Sequence, residues 1–180
     1  MGSGNIFLVG MMGAGKTTLG RVLAQREGLE FVDTDRILVE RTGVAVATVF
    51  EIEGEEGFRR RESAVLAELG ARAGCVIATG GGAILARENR ELMRRTGTVV
   101  YLRARVEHLW ERTRHDTTRP LLATADPRAT LAMYLEQRDH LYREAAHVVV
   151  DSGSQSAASL VNRVRAALRG HHAPASGEAR

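Results

Sequence analysis

Residues 10–17 read Gly10-Met11-Met12-Gly13-Ala14-Gly15-Lys16-Thr17, the spacing G-x-x-x-x-G-K-[ST] of a phosphate-binding loop. Glycines let the backbone curl so that successive N–H groups converge on phosphate oxygens, and a following helix adds the partial positive charge of its N-terminus. The flanks supply the context this pattern needs. Ile6-Phe7-Leu8-Val9 is a continuous apolar run, as expected of a central strand buried on both faces. From Lys16 onward Leu19, Val22 and Leu23 recur at helical spacing until Gly28. A nucleoside triphosphate is therefore expected along Gly13, Ala14, Gly15, Lys16, Thr17 and Thr18, with Lys16 on the β- and γ-phosphates. Thr17 offers its hydroxyl to the magnesium ion that bridges them. Lys16 is also the only lysine among 25 basic Lys and Arg residues. A compact ammonium with three rotatable donors fits such a loop where a wide guanidinium fork does not.

Working outward, Glu30–Asp33, Cys75–Ala78, Thr98–Leu102 and His147–Val150 read as four more short strands. Helical stretches separate them: Asp35–Arg41, Val46–Phe50, Glu55–Ala73 and Pro127–Ala145, with a last one over Gln155–Leu168. Alternation at this spacing predicts a three-layer α/β/α fold around a central five-stranded parallel sheet. In such sheets ligands gather beyond the carboxyl ends of the strands, so the loops at Gly10, Asp33, Gly80 and after Leu102 are expected to face one site. The polar stretch 115–126, interrupted by Arg119-Pro120-Leu121-Leu122, reads as a mobile lid. Residues 1–170 form one expected domain and 171–180 a disordered tail that includes His171 and His172.

Composition narrows the classes. With 180 residues, 44% apolar and 26% charged, the chain is an ordinary globular one. No run reaches membrane-spanning length and Ile6–Val9 is too short for a signal segment, so a cytoplasmic protein without a membrane partner is expected. The single cysteine, Cys75, reads as a buried core residue. A net charge of +3 is too mild to separate nucleic acid from nucleotide phosphates.

A phosphate loop does not name the acceptor. Asp33 and Asp35, in Asp33-Thr34-Asp35, are either two carboxylates at the phosphate rim or a helix cap. Gly80-Gly81-Gly82 either presents backbone N–H groups to an anion or hydroxyl, or is a tight turn. Arg59-Arg60-Arg61 begins on a helix whose other face is core, so at least one of the three must point toward the solvent or the site, and as a lone charge run it reads as a solvated face.

Taken together, GMMGAGKTT, FVDTD, VFEIEGEEGFRRRE, ATGGGA, RPLL and RDHLY, in this order from Asn5 to Asp151, resemble shikimate kinase, a small phosphate-loop kinase. One departure is Leu38-Val39, where the family commonly has Ile-Glu. The resemblance implies magnesium-dependent transfer of the ATP γ-phosphoryl group to the 3-hydroxyl of shikimate, by a monomer with no nucleic-acid partner. It further implies that Thr17 and Asp33 hold the metal and that Asp35 bonds the acceptor hydroxyls. Arg59 and Arg138 would clamp the carboxylate, with Gly80, Gly81 and Gly82 adding backbone donors and Glu62 orienting Arg59. Arg119 would swing in with the lid to neutralise the transferred group, and Arg112 would lie along the adenine. The competing readings are a gluconate-type or nucleoside monophosphate kinase, and a nucleotide-dependent switch or nucleic-acid-binding regulator. At 4% aromatic residues, base-reading platforms are scarce.

Overall fold

The apolar runs become five strands of one parallel sheet in the computed structural model, which describes residues 4–116, 119–153 and 155–172. In chain order these elements are β1 (Asn5–Val9), α1 (Lys16–Glu27), β2 (Glu30–Asp33), α2 (Thr34–Thr42), α3 (Val46–Gly70), β3 (Cys75–Ala78), α4 (Arg87–Thr96), β4 (Gly97–Arg103), α5 (Val106–Thr113), α6 (Pro127–Ala145), β5 (Val148–Asp151) and α7 (Ala157–His172). Two 3-10 turns, Ala83–Leu85 and Pro120–Leu122, complete the set.

The sheet order is β2-β3-β1-β4-β5, with every neighbouring pair parallel. β1 and β3 are buried at every residue, as strands covered on both faces must be, whereas the edge strand β5 alternates buried and exposed. α1 and α7 pack on one face, and α3, α4 and α6 cover the other. Because the chain leaves β1 toward β2 and crosses back to β4 on the opposite side, the strand order reverses at β1. The crevice beyond its carboxyl end is the switch point where such sheets bind ligands, and residues 10–15 occupy it.

One buried polar side chain fixes the start of β1. Asn5, 1% exposed, donates through Nδ2 to the Leu69 and Arg72 carbonyls at 3.2 and 2.8 Å, and its Oδ1 accepts from the Cys75 N–H at 3.1 Å. It thus joins β1 to the end of α3 and the start of β3, spending its amide on backbone groups at both.

The two helical stretches expected over Val46–Phe50 and Glu55–Ala73 are both present within α3, where Gly54, with a non-helical φ of 69° and ψ of −179°, kinks the chain between them. The second ends at Gly70, short of Ala73. The last helix does not stop at Leu168, nor does the tail begin at His171, for α7 continues to His172 and the His171 ring lies 5.2 Å from that of His147. The tail expected over 173–180 falls outside the described residues, as do 117–118 of the expected lid. Within the rest of 115–126 the turn Pro120–Leu122 seats Leu122 in the core.

Replacing Asn5 with Ala removes three hydrogen bonds that tie β1 to α3 and β3 and takes this partner from the buried Cys75 N–H. The expected loss is about 3 kcal/mol of unfolding free energy, read from urea titration of the two proteins.

Candidate active site

The loop at residues 10–15 takes its shape from backbone that only glycine adopts easily: φ is 145° at Gly10, 80° at Gly13 and 92° at Gly15. At Gly10 space forbids a side chain as well, since a Cβ would lie 2.6 Å from the Leu102 carbonyl of β4. Helix α1 begins at Lys16 with no side chain capping it and no acid in its first turn. Its free N–H groups and the positive end of its dipole therefore face the loop's interior. By contrast α2 and α6 are capped by the carboxylates of Asp33 and Asp126.

Lys16 curls into this loop. Its Nζ donates to the Gly10 and Met11 carbonyls at 2.7 and 2.9 Å. Burial lowers its pKa to about 8, with the nearby Arg119 acting in the same direction and Asp35 and Asp33 opposing it. Thr17 donates from Oγ1 to Asp33 Oδ2 at 2.8 Å, while Asp33 Oδ1 accepts the Asp35 N–H at 3.1 Å. The two sequence readings of Asp33 are both met: one oxygen caps α2 and the other meets the phosphate loop. A hydroxyl and a carboxylate in contact, at the mouth of a loop built for phosphates, fit a hard cation taking its remaining ligands from phosphate and water. Among the described residues no cluster of three or more His, Cys, Asp or Glu side chains offers an all-protein metal cage. Thr18 is exposed on the first turn of α1. Arg112 donates to the Gly13 carbonyl at 3.2 Å and to the Gly153 carbonyl at 2.5 Å, joining the loop to the segment after β5.

Beside the loop opens a cavity of about 600 Å³ whose lining includes Met12, Asp35, Arg59, Glu62, Gly80, Gly81, Gly82 and Arg119. Asp35 stands at its base, and burial followed by the neighbouring Asp33 raises its pKa above the usual carboxylate value. Arg59 donates to Glu62 at 3.1 Å and to Glu55 at 3.0 Å, whereas Arg60 and Arg61 pair on the surface with Glu56 and Glu53. The arginine run is thus a solvated face at two positions and lines the cavity at one. Arg119 lines the cavity and donates through Nε to Asp116 at 2.7 Å. Arg138 does not line it. That residue is buried behind, with its guanidinium 4.3 Å from the Tyr134 ring centroid and close enough to Glu62 and Tyr142 to act on both.

The glycine run after β3 is explained by crowding rather than by turn geometry. None of Gly80, Gly81 and Gly82 has a positive φ. A Cβ on Gly80 would sit 2.0 Å from Glu62 Oε1, and one on Gly82 would sit 2.1 Å from the Arg59 guanidinium. The bare backbone lets these two side chains reach the cavity.

Of the five buried side-chain polar atoms lacking a partner among the described residues, four belong to this corner: Asp35 Oδ1, Arg59 Nε, Glu62 Oε1 and Arg138 Nη1. Buried polar groups are ordinarily paired, so a cluster of orphans of both charge signs outlines a ligand that carries an anion and hydroxyls. A larger groove of about 710 Å³ opens at the outer ends of β4 and β5, but no phosphate-loop residue lines it. Its Arg103 and Arg143 are already paired with Asp151 and Asp139.

The sequence of residues 12–169 matches the family model described as shikimate kinase. The chain belongs to the shikimate kinase family. A shikimate kinase of Nitrosospira multiformis is 59% identical over 154 residues, spanning 86% of this chain and 79% of that one. One of Bordetella pertussis is 55% identical over 166 residues, spanning 92% and 79%. Among solved structures, shikimate kinase from Acinetobacter baumannii in complex with shikimate superposes with a TM-score of 0.93 at 44% identity, covering 95% of this chain and 96% of that one. A gluconokinase from Sinorhizobium meliloti, 21% identical with a TM-score of 0.57 over 94% and 96% of the two chains, shares the fold.

Within this shikimate kinase site, several contributors escaped the sequence reading. Thr34, fully buried, accepts the Gly80 N–H at 3.1 Å and ties the end of β2 to the glycine run. Phe50, Phe58 and Leu121 form an apolar wall of the cavity. Their signal was present in the quoted stretches, but apolar residues there are indistinguishable from core until the fold is known. At the departure from the family pattern, Leu38 is core and Val39 lines the cavity.

Burial raises the Glu62 pKa from 4.5 to about 7 in the empty site, against the opposing pull of Arg59. The folded state then holds this proton more tightly than the unfolded chain does. Its stabilising contribution is complete below the unfolded value and lost as pH rises through about 7, an effect on the order of 3 kcal/mol. Glu62→Gln removes that decline. Thermal melts of the ligand-free proteins from about pH 4.5 to 8 are expected to show the wild type losing stability relative to the variant, and parallel profiles would contradict the assignment.

Proposed function

We propose that this shikimate kinase family member transfers the γ-phosphoryl group of ATP to the 3-hydroxyl of shikimate with the residues described above. The observation that carries the reading is the juxtaposition of an uncapped, lysine-bearing phosphate loop with a corner whose orphaned buried atoms are two carboxylate oxygens and two guanidinium nitrogens.

In this reading the loop amides of Gly13, Ala14 and Gly15 and the first turn at Thr17 and Thr18 bind the triphosphate, while Lys16 exchanges its two carbonyl partners for phosphate oxygens. Thr17 and Asp33 would hold a magnesium ion, which when bound offsets the charge on the β- and γ-phosphates. Arg112 flanks the adenine. On the acceptor side Arg59 takes the shikimate carboxylate, a job suited to a guanidinium fork, Arg138 adds its positive charge from behind the cavity, and the amides of Gly81 and Gly82 take hydroxyl or carboxylate oxygens. Asp35 accepts a hydrogen bond from the reacting hydroxyl. As the new O–P bond forms and the bond to the ADP oxygen breaks, that proton passes to Asp35, whose raised pKa makes it a better base than a free aspartate. Arg119 reaches Lys16 and Asp35 electrostatically and stabilises the phosphoryl group in flight. The segment 119–126 excludes water, the competing acceptor.

The same reading takes the protein as a cytoplasmic monomer that does not bind nucleic acid. Its surface arginines support this, for Arg36, Arg41, Arg60, Arg61 and Arg87 each pair with a glutamate, breaking up any continuous basic patch.

ADP release measured with shikimate, gluconate and nucleoside monophosphates is the direct test. Turnover with shikimate is expected to exceed that with the others by at least about a hundredfold. Release of ADP at the same rate without shikimate would refute the acceptor. Arg59→Ala is expected to raise the KM for shikimate with little change for ATP, and Lys16→Ala to do the reverse.

A further inference from the structure

The peptide between Gly81 and Gly82 has no side chain on either flank to decide which way it faces. Its carbonyl accepts a hydrogen bond of 2.5 Å from the hydroxyl of Tyr142, a fully buried residue of α6. Burial holds the Tyr142 pKa well above that of a free phenol, so the hydroxyl is a donor throughout the neutral range. The ring is fixed in turn by stacking on Tyr101, with centroids 4.8 Å apart, and the hydroxyl also lies 3.7 Å from Met11 Sδ in the phosphate loop.

A trans peptide is planar, with its C=O and N–H antiparallel, and the chain contains no cis bond among the described residues. Holding the Gly81 carbonyl toward the core therefore turns the Gly82 N–H away from it, on the side of the cavity that Gly82 lines. The other polar groups of the run are accounted for. Gly80 N–H donates to Thr34, and the Gly80 and Gly82 carbonyls accept from Ala83 and Leu85. Among the described residues no protein acceptor meets the Gly81 or Gly82 N–H, which a ligand in the cavity can therefore take.

We propose that Tyr142 is a positioning residue that sets this peptide so that the Gly82 amide is presented to the acceptor. It touches neither substrate, and acts through one carbonyl. Without the hydroxyl, glycines on both sides leave the peptide free to turn over, which replaces a donor in the cavity with a carbonyl that repels an oxygen-rich ligand. The proposal rests on the reading of the cavity as the shikimate site, and its test separates the two.

Tyr142→Phe removes one oxygen and keeps the ring stack. The expected outcome is a KM and a dissociation constant for shikimate raised about tenfold, the worth of one hydrogen bond to a charged or polar ligand atom, with the KM for ATP changed less than about twofold. A purely structural role would instead lower the melting temperature and disturb both substrates alike, and that result, or an unchanged shikimate constant, overturns the proposal. The wild-type protein gives a second readout independent of how the variant folds. On titrating ¹⁵N-labelled protein with shikimate, the Gly82 amide is expected to shift downfield. If shikimate binds and moves other amides around Arg59 while Gly82 stays still, this inference fails and the acceptor reading stands. If shikimate moves nothing, both fail.

Discussion

A single ammonium held inside a ring of backbone dipoles is the constraint around which this molecule is arranged. Lys16 is placed by a glycine loop that can exist only at the central strand's end, where β1 emerges between β3 and β4. In the empty protein its hydrogen bonds go to Gly10 and Met11 carbonyls, and burial makes its charge hard to keep. A polyphosphate resolves that tension by supplying negative charge where desolvation otherwise favours the neutral amine. The uncapped start of α1 adds donors in the same direction. The neighbouring carboxylates Asp33 and Asp35 balance the charge without occupying the phosphate position, since Asp33 is engaged by Thr17 and by the Asp35 N–H.

The cavity beside the loop follows a different rule. There the protein leaves polar atoms unpaired in a buried corner, a cost that a folded chain tolerates where a ligand will meet it. Asp35, Arg59, Glu62 and Arg138 each keep one such atom, and a wall containing Phe50, Phe58 and Leu121 shields them from bulk water. Glu62 illustrates the coupling. It steadies Arg59 when ionised, yet burial makes ionisation costly in the empty site, so cavity occupancy and proton affinity are linked through that pair.

Much of this was legible before any coordinates. The phosphate loop was readable because its residue types are dictated locally: glycines for φ, a lysine for shape. The strands β1, β3 and β4 were readable because burial on both faces writes unbroken apolar runs. What needed the fold were relations between distant segments. Nothing local distinguishes Arg59 from Arg60 and Arg61, whose separation depends on which face of α3 meets the glycine run. The reason for Gly80 and Gly82 lies in Glu62 and Arg59 some twenty residues away, not in their own dihedrals. Likewise the extension of α7 past Gly170 becomes intelligible only once His171 is found against His147.

Triphosphate binding restores the charge of a lysine that the empty loop disfavours. Calorimetric titration of ATP with magnesium at pH 8, repeated in buffers of different ionisation enthalpy, measures the protons taken up. With the Lys16 pKa near 8 in the free protein, uptake of roughly half a proton per ATP is expected. Binding with no net uptake at that pH would contradict the account.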